Sequence, residues 1–212
     1  MTTNLSNPVI AEIGIKLAFA DQYLNAKNEL KVNFKRFKKS TPFSERLNNW
    51  LREWYHQNEG QIHFVETDPV ENYVSMSEYY KEMKKSFGET GHVIIWTGAS
   101  DNTIFGEPHI NHIFRAWHDM IHFEYDQPFN FGGESTVATI QCSQLPTDWI
   151  FERELITAEV LGQNQYYRIH KEYVVDQRQF AYDYLFNTVE AITVNRSIKS
   201  IDLRKHKPEN LI

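Results

Sequence analysis

Residues 111–122, Asn-His-Ile-Phe-Arg-Ala-Trp-His-Asp-Met-Ile-His, constrain this chain more than any other stretch. At about 100° per residue, Asn111, Arg115, His118, Asp119 and His122 share one helix face, with Phe114, Trp117 and Ile121 behind them. Such a helix must pack its aromatic side into a core. Its polar side differs from a solvated face, which would carry Lys, Glu and Gln, because long flexible chains have good helix propensity and stay readily in water. Two imidazoles, a short carboxylate and a guanidinium are groups that bind metals and anions, so this face is the expected active surface.

The rest of the composition sets bounds. A chain of 212 residues suits one domain with a sizeable core, and 41% hydrophobic with 24% charged residues reads as an ordinary folded protein. An aromatic share of 14% predicts a core and pocket walls rich in Phe, Tyr and Trp. The formal charge of −6 argues against general nucleic-acid binding. Cys142 is the single cysteine, which excludes an internal disulfide and points to the cytoplasm. No apolar run is long enough to span a membrane, and the N-terminus lacks the basic-then-apolar pattern of a signal peptide.

Periodicity predicts helices over 8–28, over a stretch marked by Leu47, Trp50, Leu51 and Trp54 and closed by Gly60, and over 75–87 ended by Gly88. Short strands are expected in Gln61–Thr67 and His92–Thr97, the second continuous and β-branched as a buried strand would be. Residues 126–133 read as a loop, with Glu134 opening a helix to about Ser143. Residues 147–171 form the longest helical pattern, capped by Thr147 or Asp148, and 174–190 another, before a polar tail ending Arg204-Lys205-His206-Lys207-Pro208. The expected fold is α+β, a mostly helical single domain with a small sheet. Residues 1–60 would form a helical N-terminal segment and 61–190 the core carrying the site. Lys31, Lys35, Arg36, Lys38 and Lys39 make a basic cluster that reads as a solvated face.

His118 and His122 stand four apart, the spacing by which one helix offers two nitrogen ligands to a single ion. In zinc peptidases a Glu follows the first His as general base; here Asp119 occupies that place and is one methylene shorter. Carboxylates downstream complete a ligand set. Glu134 follows a Gly-Gly pair where backbones can approach closely, and Glu152, Glu159, Gln163, Tyr166 and His170 share a helix face to within about 45°. His118, His122, Glu134 and Glu159 are therefore the expected metal ligands. Asp119 and Arg115 are the catalytic candidates, and Arg115, Gln163 and Asn164 the groups expected to hold substrate.

Three segments occur in order within residues 110–167, a quarter of the chain: Phe114-Arg115-Ala116-Trp117-His118-Asp119 with His122, Phe131-Gly132-Gly133-Glu134, and Glu159-Val160-Leu161-Gly162-Gln163-Asn164. Together they resemble motifs of uncharacterised proteins of tailed phages, which carry Arg-Ala-x-His-Asp with a further His, a Phe-rich Gly-Glu segment and Glu-x-x-Gly-Gln-Asn. In that pattern the second His can lie one position further on, and an Arg stands where this chain has Leu161. The resemblance implies a phage origin, hence the host cytoplasm, and groups these residues without naming a reaction.

The first expectation is a metal-dependent hydrolase acting through a metal-activated water on a small-molecule or peptide substrate, with zinc as the ion and iron or manganese as alternatives. A non-haem iron or di-metal oxidase is the second, set back because neither Glu152 nor Glu154 has a His three residues on, as a di-iron bundle requires. A His-Asp phosphohydrolase would need further groups, for which His92 and Asp176 are the candidates by position. The rival from another class is a non-enzymatic phage protein that binds a host partner, its His and Glu residues forming a buried polar network.

Overall fold

The helix that carries the two histidines runs from Pro108 to Glu124 in a computed structural model, which describes residues 17–195 together with Gly14. Pro108 sits in its first turn, where a missing N–H costs nothing, and the chain leaves it through Asp126 in the left-handed conformation. Two apolar cores flank it. Ile110, Ile113, Phe114, Trp117 and Ile121 enter the larger core, whereas Ala116, Met120 and Phe123 enter a second one beneath the sheet. With 3.6 residues per turn these sets take adjoining sectors of the cylinder, leaving the third to Asn111, Arg115, His118, Asp119 and His122. The polar face is thus turned away from both cores, with Asn111 and His122 buried and Arg115, His118 and Asp119 partly exposed.

The protein is a mostly helical α+β domain. Its helices are α1 (Ala20–Asn33), α2 (Glu45–Asn58), α3 (Met76–Thr90), α4 (Pro108–Glu124), α5 (Phe131–Gln144), α6 (Ile150–Thr157), α7 (Gln163–His170), α8 (Gln177–Phe186) and α9 (Thr188–Thr193). Strands β1 (Ile62–Val65) and β2 (Val93–Trp96) pair in parallel, Ile62 opposite Val93 and Val65 opposite Trp96. Parallel strands need a crossover connection, and α3 supplies it. α1 and α2 contribute Leu30, Leu47 and Leu51 to the larger core, the same one that takes the apolar side of α4. No helix among the described residues is long and apolar enough to cross a membrane.

Several boundaries differ from expectation, each for a local reason. α1 extends to Asn33, past the expected end at 28; residues 8–13, 15 and 16 lie outside the described residues, as does the basic tail at Arg204–Lys207. α3 passes through Gly88 and stops at Gly91, whose φ of 70° suits a left-handed cap. α5 begins at Phe131, ahead of Glu134, because the Asn130 side chain accepts hydrogen bonds from the amides of Gly132 and Gly133. The helix expected over 147–171 starts at Ile150 with no side-chain cap, and a π turn, Ala158–Gly162, separates α6 from α7. The last helical pattern is divided at Asn187, which caps α9.

The π turn also splits the face predicted for residues 152–170. Glu152 points to α2, where its carboxylate takes hydrogen bonds from Ser44 Oγ at 2.7 Å, Arg46 Nε at 2.7 Å and the Arg46 terminal nitrogen at 2.5 Å. Tyr166 packs with Phe180 in a third apolar cluster, and His170 bonds the Ile192 carbonyl. Because Glu152 is 2% exposed, its loss leaves Arg46 without its carboxylate in a half-buried setting. Glu152→Ala should lower unfolding free energy in urea by about 2–3 kcal/mol. It should leave the groups around His118 undisturbed, with their histidine ring NMR signals unshifted.

Candidate functional site

One cleft of about 500 Å³ opens on the polar sector of α4. Arg115, His118, Asp119, Glu134, Glu159, Gln163 and Asn164 all line it, so four segments of the chain deliver the groups singled out by sequence to a single space. His122 lies behind His118 and is fully buried. The remaining walls mix aliphatic and polar residues with aromatic ones, among them Tyr79, Trp96, Phe129, Tyr167 and Tyr173.

At the floor of the cleft the two imidazoles meet. Nδ1 of His122 lies 2.8 Å from the Gln127 carbonyl, which can only accept, so this nitrogen carries the proton. Nδ1 of His118 donates to Gln141 Oε1 at 3.2 Å. Both rings therefore turn Nε2 inward, and the two Nε2 atoms are 3.0 Å apart. Glu134 closes the group, Oε2 lying 3.1 Å from His118 Nε2 and Oε1 3.6 Å from His122 Nε2. Two inward lone pairs beside a carboxylate repel one another unless a cation sits between them. A proton serves in the metal-free chain: burial disfavours charge on His118, but Glu134 more than offsets this and raises its pKa, while His118 in turn lowers that of Glu134 against its own burial.

The same three side chains can hold a metal ion, their ligand atoms all lying within 4.8 Å of one another. For zinc ligands at about 2.1 Å, a tetrahedron has edges of about 3.4 Å, close to the separations in this group. Locking each Nδ1 to an acceptor is how proteins orient metal-binding imidazoles. Gly133 lets Glu134 reach this position, since a Cβ there would run into the Pro128 carbonyl oxygen. Glu159 lines the cleft but stands outside this group of three.

Arg115 has partners different from those expected of a substrate clamp. Its guanidinium donates to the carbonyls of Trp96 at 2.9 Å, Gly98 at 2.8 Å and Ala99 at 3.2 Å, bracing the chain as it leaves β2. Asp119 faces the cleft, and burial raises its pKa. Gln163 donates to Glu159 Oε2 at 2.8 Å, and Asn164 follows it along the wall. His92 is exposed beside the Gly91 turn and Asp176 caps α8, so the two positions considered for a His-Asp phosphohydrolase do not join the cleft. The basic residues Lys31 to Lys39 are exposed and also lie away from it. Sequence reasoning missed Gln141 and the Gln127 carbonyl, whose roles depend on the placing of α5 and the 125–130 turn. Asp68 and Tyr79 were missed for the same reason, carrying no spacing signal. No known family matches this chain, and neither do the curated proteins or the solved structures with which it was compared.

Glu159 has a measurable consequence for stability. Burial raises its pKa from 4.5 to about 8, the Gln163 hydrogen bond and Arg115 opposing this only in part. Between those values the folded chain keeps a proton that the unfolded chain has released. Stability from this group is thus complete below 4.5 and is lost as pH rises towards 8, by at most about 1.4 kcal/mol per pH unit. Urea titrations at pH 5 and pH 8 should show Glu159→Gln gaining on the parent chain as pH rises; parallel curves would mean that this carboxyl ionises as freely as in water.

Proposed function

We propose that this protein is a metal-dependent hydrolase whose ion is held by His118, His122 and Glu134. The observation that carries the reading is the commitment of both Nδ1 atoms to acceptors, which aims two ring nitrogens and a carboxylate at one point beside an open cleft. Two His and one Glu with room for a further ligand is a donor set of catalytic zinc sites. A divalent ion there would polarise a substrate carbonyl or phosphoryl oxygen and lower the pKa of a water molecule.

The chain's own residues supply the remaining needs of hydrolysis. Asp119, one residue beyond His118 and facing the cleft, is placed to take a proton from an attacking water. Glu159 lines another wall of the same space. Arg115 acts through the backbone it holds, fixing the exit of β2 against α4. Gln163 orients Glu159. The volume of the cleft suits a small molecule or the side chain of a peptide.

The same donors also suit ferrous iron in oxygen-using sites. Asp119, a further carboxyl group placed for proton transfer, favours hydrolysis, and the metal's identity decides. The three-motif resemblance to tailed-phage proteins groups the same residues and is compatible with either chemistry.

Elemental analysis of the purified protein should find about one zinc per chain, with His122→Ala and Glu134→Ala each losing most of it and Glu159→Gln retaining it. Added zinc should also raise the melting temperature of chelator-treated protein. A chain without stoichiometric zinc, iron or manganese, whose melting is indifferent to added metal, would overturn the assignment; stoichiometric iron in place of zinc would move it to redox chemistry.

A further inference from the structure

Glu159 is 9% exposed, and only one of its carboxyl oxygens is satisfied. Oε2 accepts from Gln163, whereas Oε1 is buried without a hydrogen-bond partner among the described residues. Native proteins leave few such atoms, and each calls for a reason. The backbone that carries it is unusual as well, since Glu159 lies within the π turn Ala158–Gly162, a costly irregularity that recurs at functional sites. Arg115 is close enough to contribute charge, but its hydrogen bonds go to three backbone carbonyls. A residue that lines the cleft therefore keeps one carboxyl oxygen without a donor among the described residues.

The surroundings indicate what kind of donor. Asp68, Asp119 and Glu134 also face the cleft, so acids outnumber the cations Arg115 and His118. Aromatic rings form part of its walls, and three of them are fixed: Tyr167 stacks on Tyr173 at 4.8 Å, and the Trp96 indole donates to the Glu66 carbonyl at 3.0 Å. Acids among aromatic faces attract cations by charge and by the ring quadrupole.

We propose that Glu159 anchors an organic ammonium ion, so that the substrate carries a protonated amine on an apolar or aromatic frame. The cation favours the ionised carboxylate, so Glu159 releases its proton to water as the ion binds; Gln163 holds one carboxyl oxygen and the other is left to accept from the ammonium group. The proposal deepens the hydrolase reading by naming the substrate's charge, yet it rests on a part of the cleft separate from the ligand group.

The test uses the full chain and three matched probes, phenethylammonium, 2-phenylethanol and phenylacetate, with binding followed by calorimetry and tryptophan fluorescence. The ammonium probe should bind about tenfold or more tighter than the other two, and Glu159→Gln should cost it about tenfold while leaving 2-phenylethanol unchanged. Running the series on zinc-loaded and chelator-treated protein separates the two readings: ammonium selectivity that persists without zinc supports the anchor whatever becomes of the metal assignment. Equal binding of the ammonium and the alcohol, tighter binding of phenylacetate, or a folded Glu159→Gln chain with undiminished ammonium affinity would each overturn it. The comparison of probes on the parent chain decides the matter even if the variant does not fold.

Discussion

The burial of α4 between two apolar cores is the constraint on which the rest of the structure depends. Trp117, Ile113 and Ile121 on one flank and Met120, Ala116 and Phe123 on the other remove most of the helix surface from water. Full burial of each large side chain is worth about 1.5–3 kcal/mol, so the flanks can outweigh the cost of keeping several polar groups on the third sector. That sector is then a low-dielectric setting, in which charges interact more strongly than they would on a solvated helix. The raised pKa values of Asp119 and Glu159 express the same fact.

A polar sector inside a protein persists only if its groups are matched. Here the matching comes from elements that α4 itself does not include. The 125–130 turn supplies the Gln127 carbonyl, α5 supplies Gln141 and Glu134, and the exit of β2 supplies the carbonyls that receive Arg115. Asn111 is used in the same manner, donating to Ser100 Oγ at 2.9 Å. The helix face thus acts as a hub whose spokes end on three segments of the chain. Moving any one of those segments would strand a buried donor or acceptor, which ties the geometry of the cleft to the stability of the fold.

Much of this hub was legible in the sequence because it depends on local spacing. The step of 100° per residue places Arg115, His118, Asp119 and His122 on one face whatever the rest of the chain does. The strand at Val93–Trp96 and the helices around it were readable for the same reason. What escaped depends on contacts distant in sequence or on backbone exceptions. Glu152 has the same spacing from Glu159 as a site residue would have, but Ser44 and Arg46, over a hundred positions earlier, claim it. The π turn at Ala158–Gly162 has no periodic signature, because i→i+5 bonding alters the register only after the fact. Asn130 outcompeted Glu134 as the start of α5 through a side-chain cap that the following Gly-Gly pair concealed.

The two short strands explain why the cleft lies where it does. In open sheets of parallel strands, ligands bind beyond the carboxyl ends, where the connecting loops diverge and leave a crevice. Here both ends feed the same space. Past Val65 the chain brings Asp68, Pro69 and Val70 to the rim, and Trp96 at the end of β2 forms part of the wall. Arg115 grips the carbonyls that follow Trp96, so the diverging loop is fastened to the same helix that presents His118. A sheet of two strands contributes little area to the core, yet it fixes the rim of the cleft relative to the imidazoles. Its smallness is therefore consistent with a positioning role, with the helices supplying most of the buried surface.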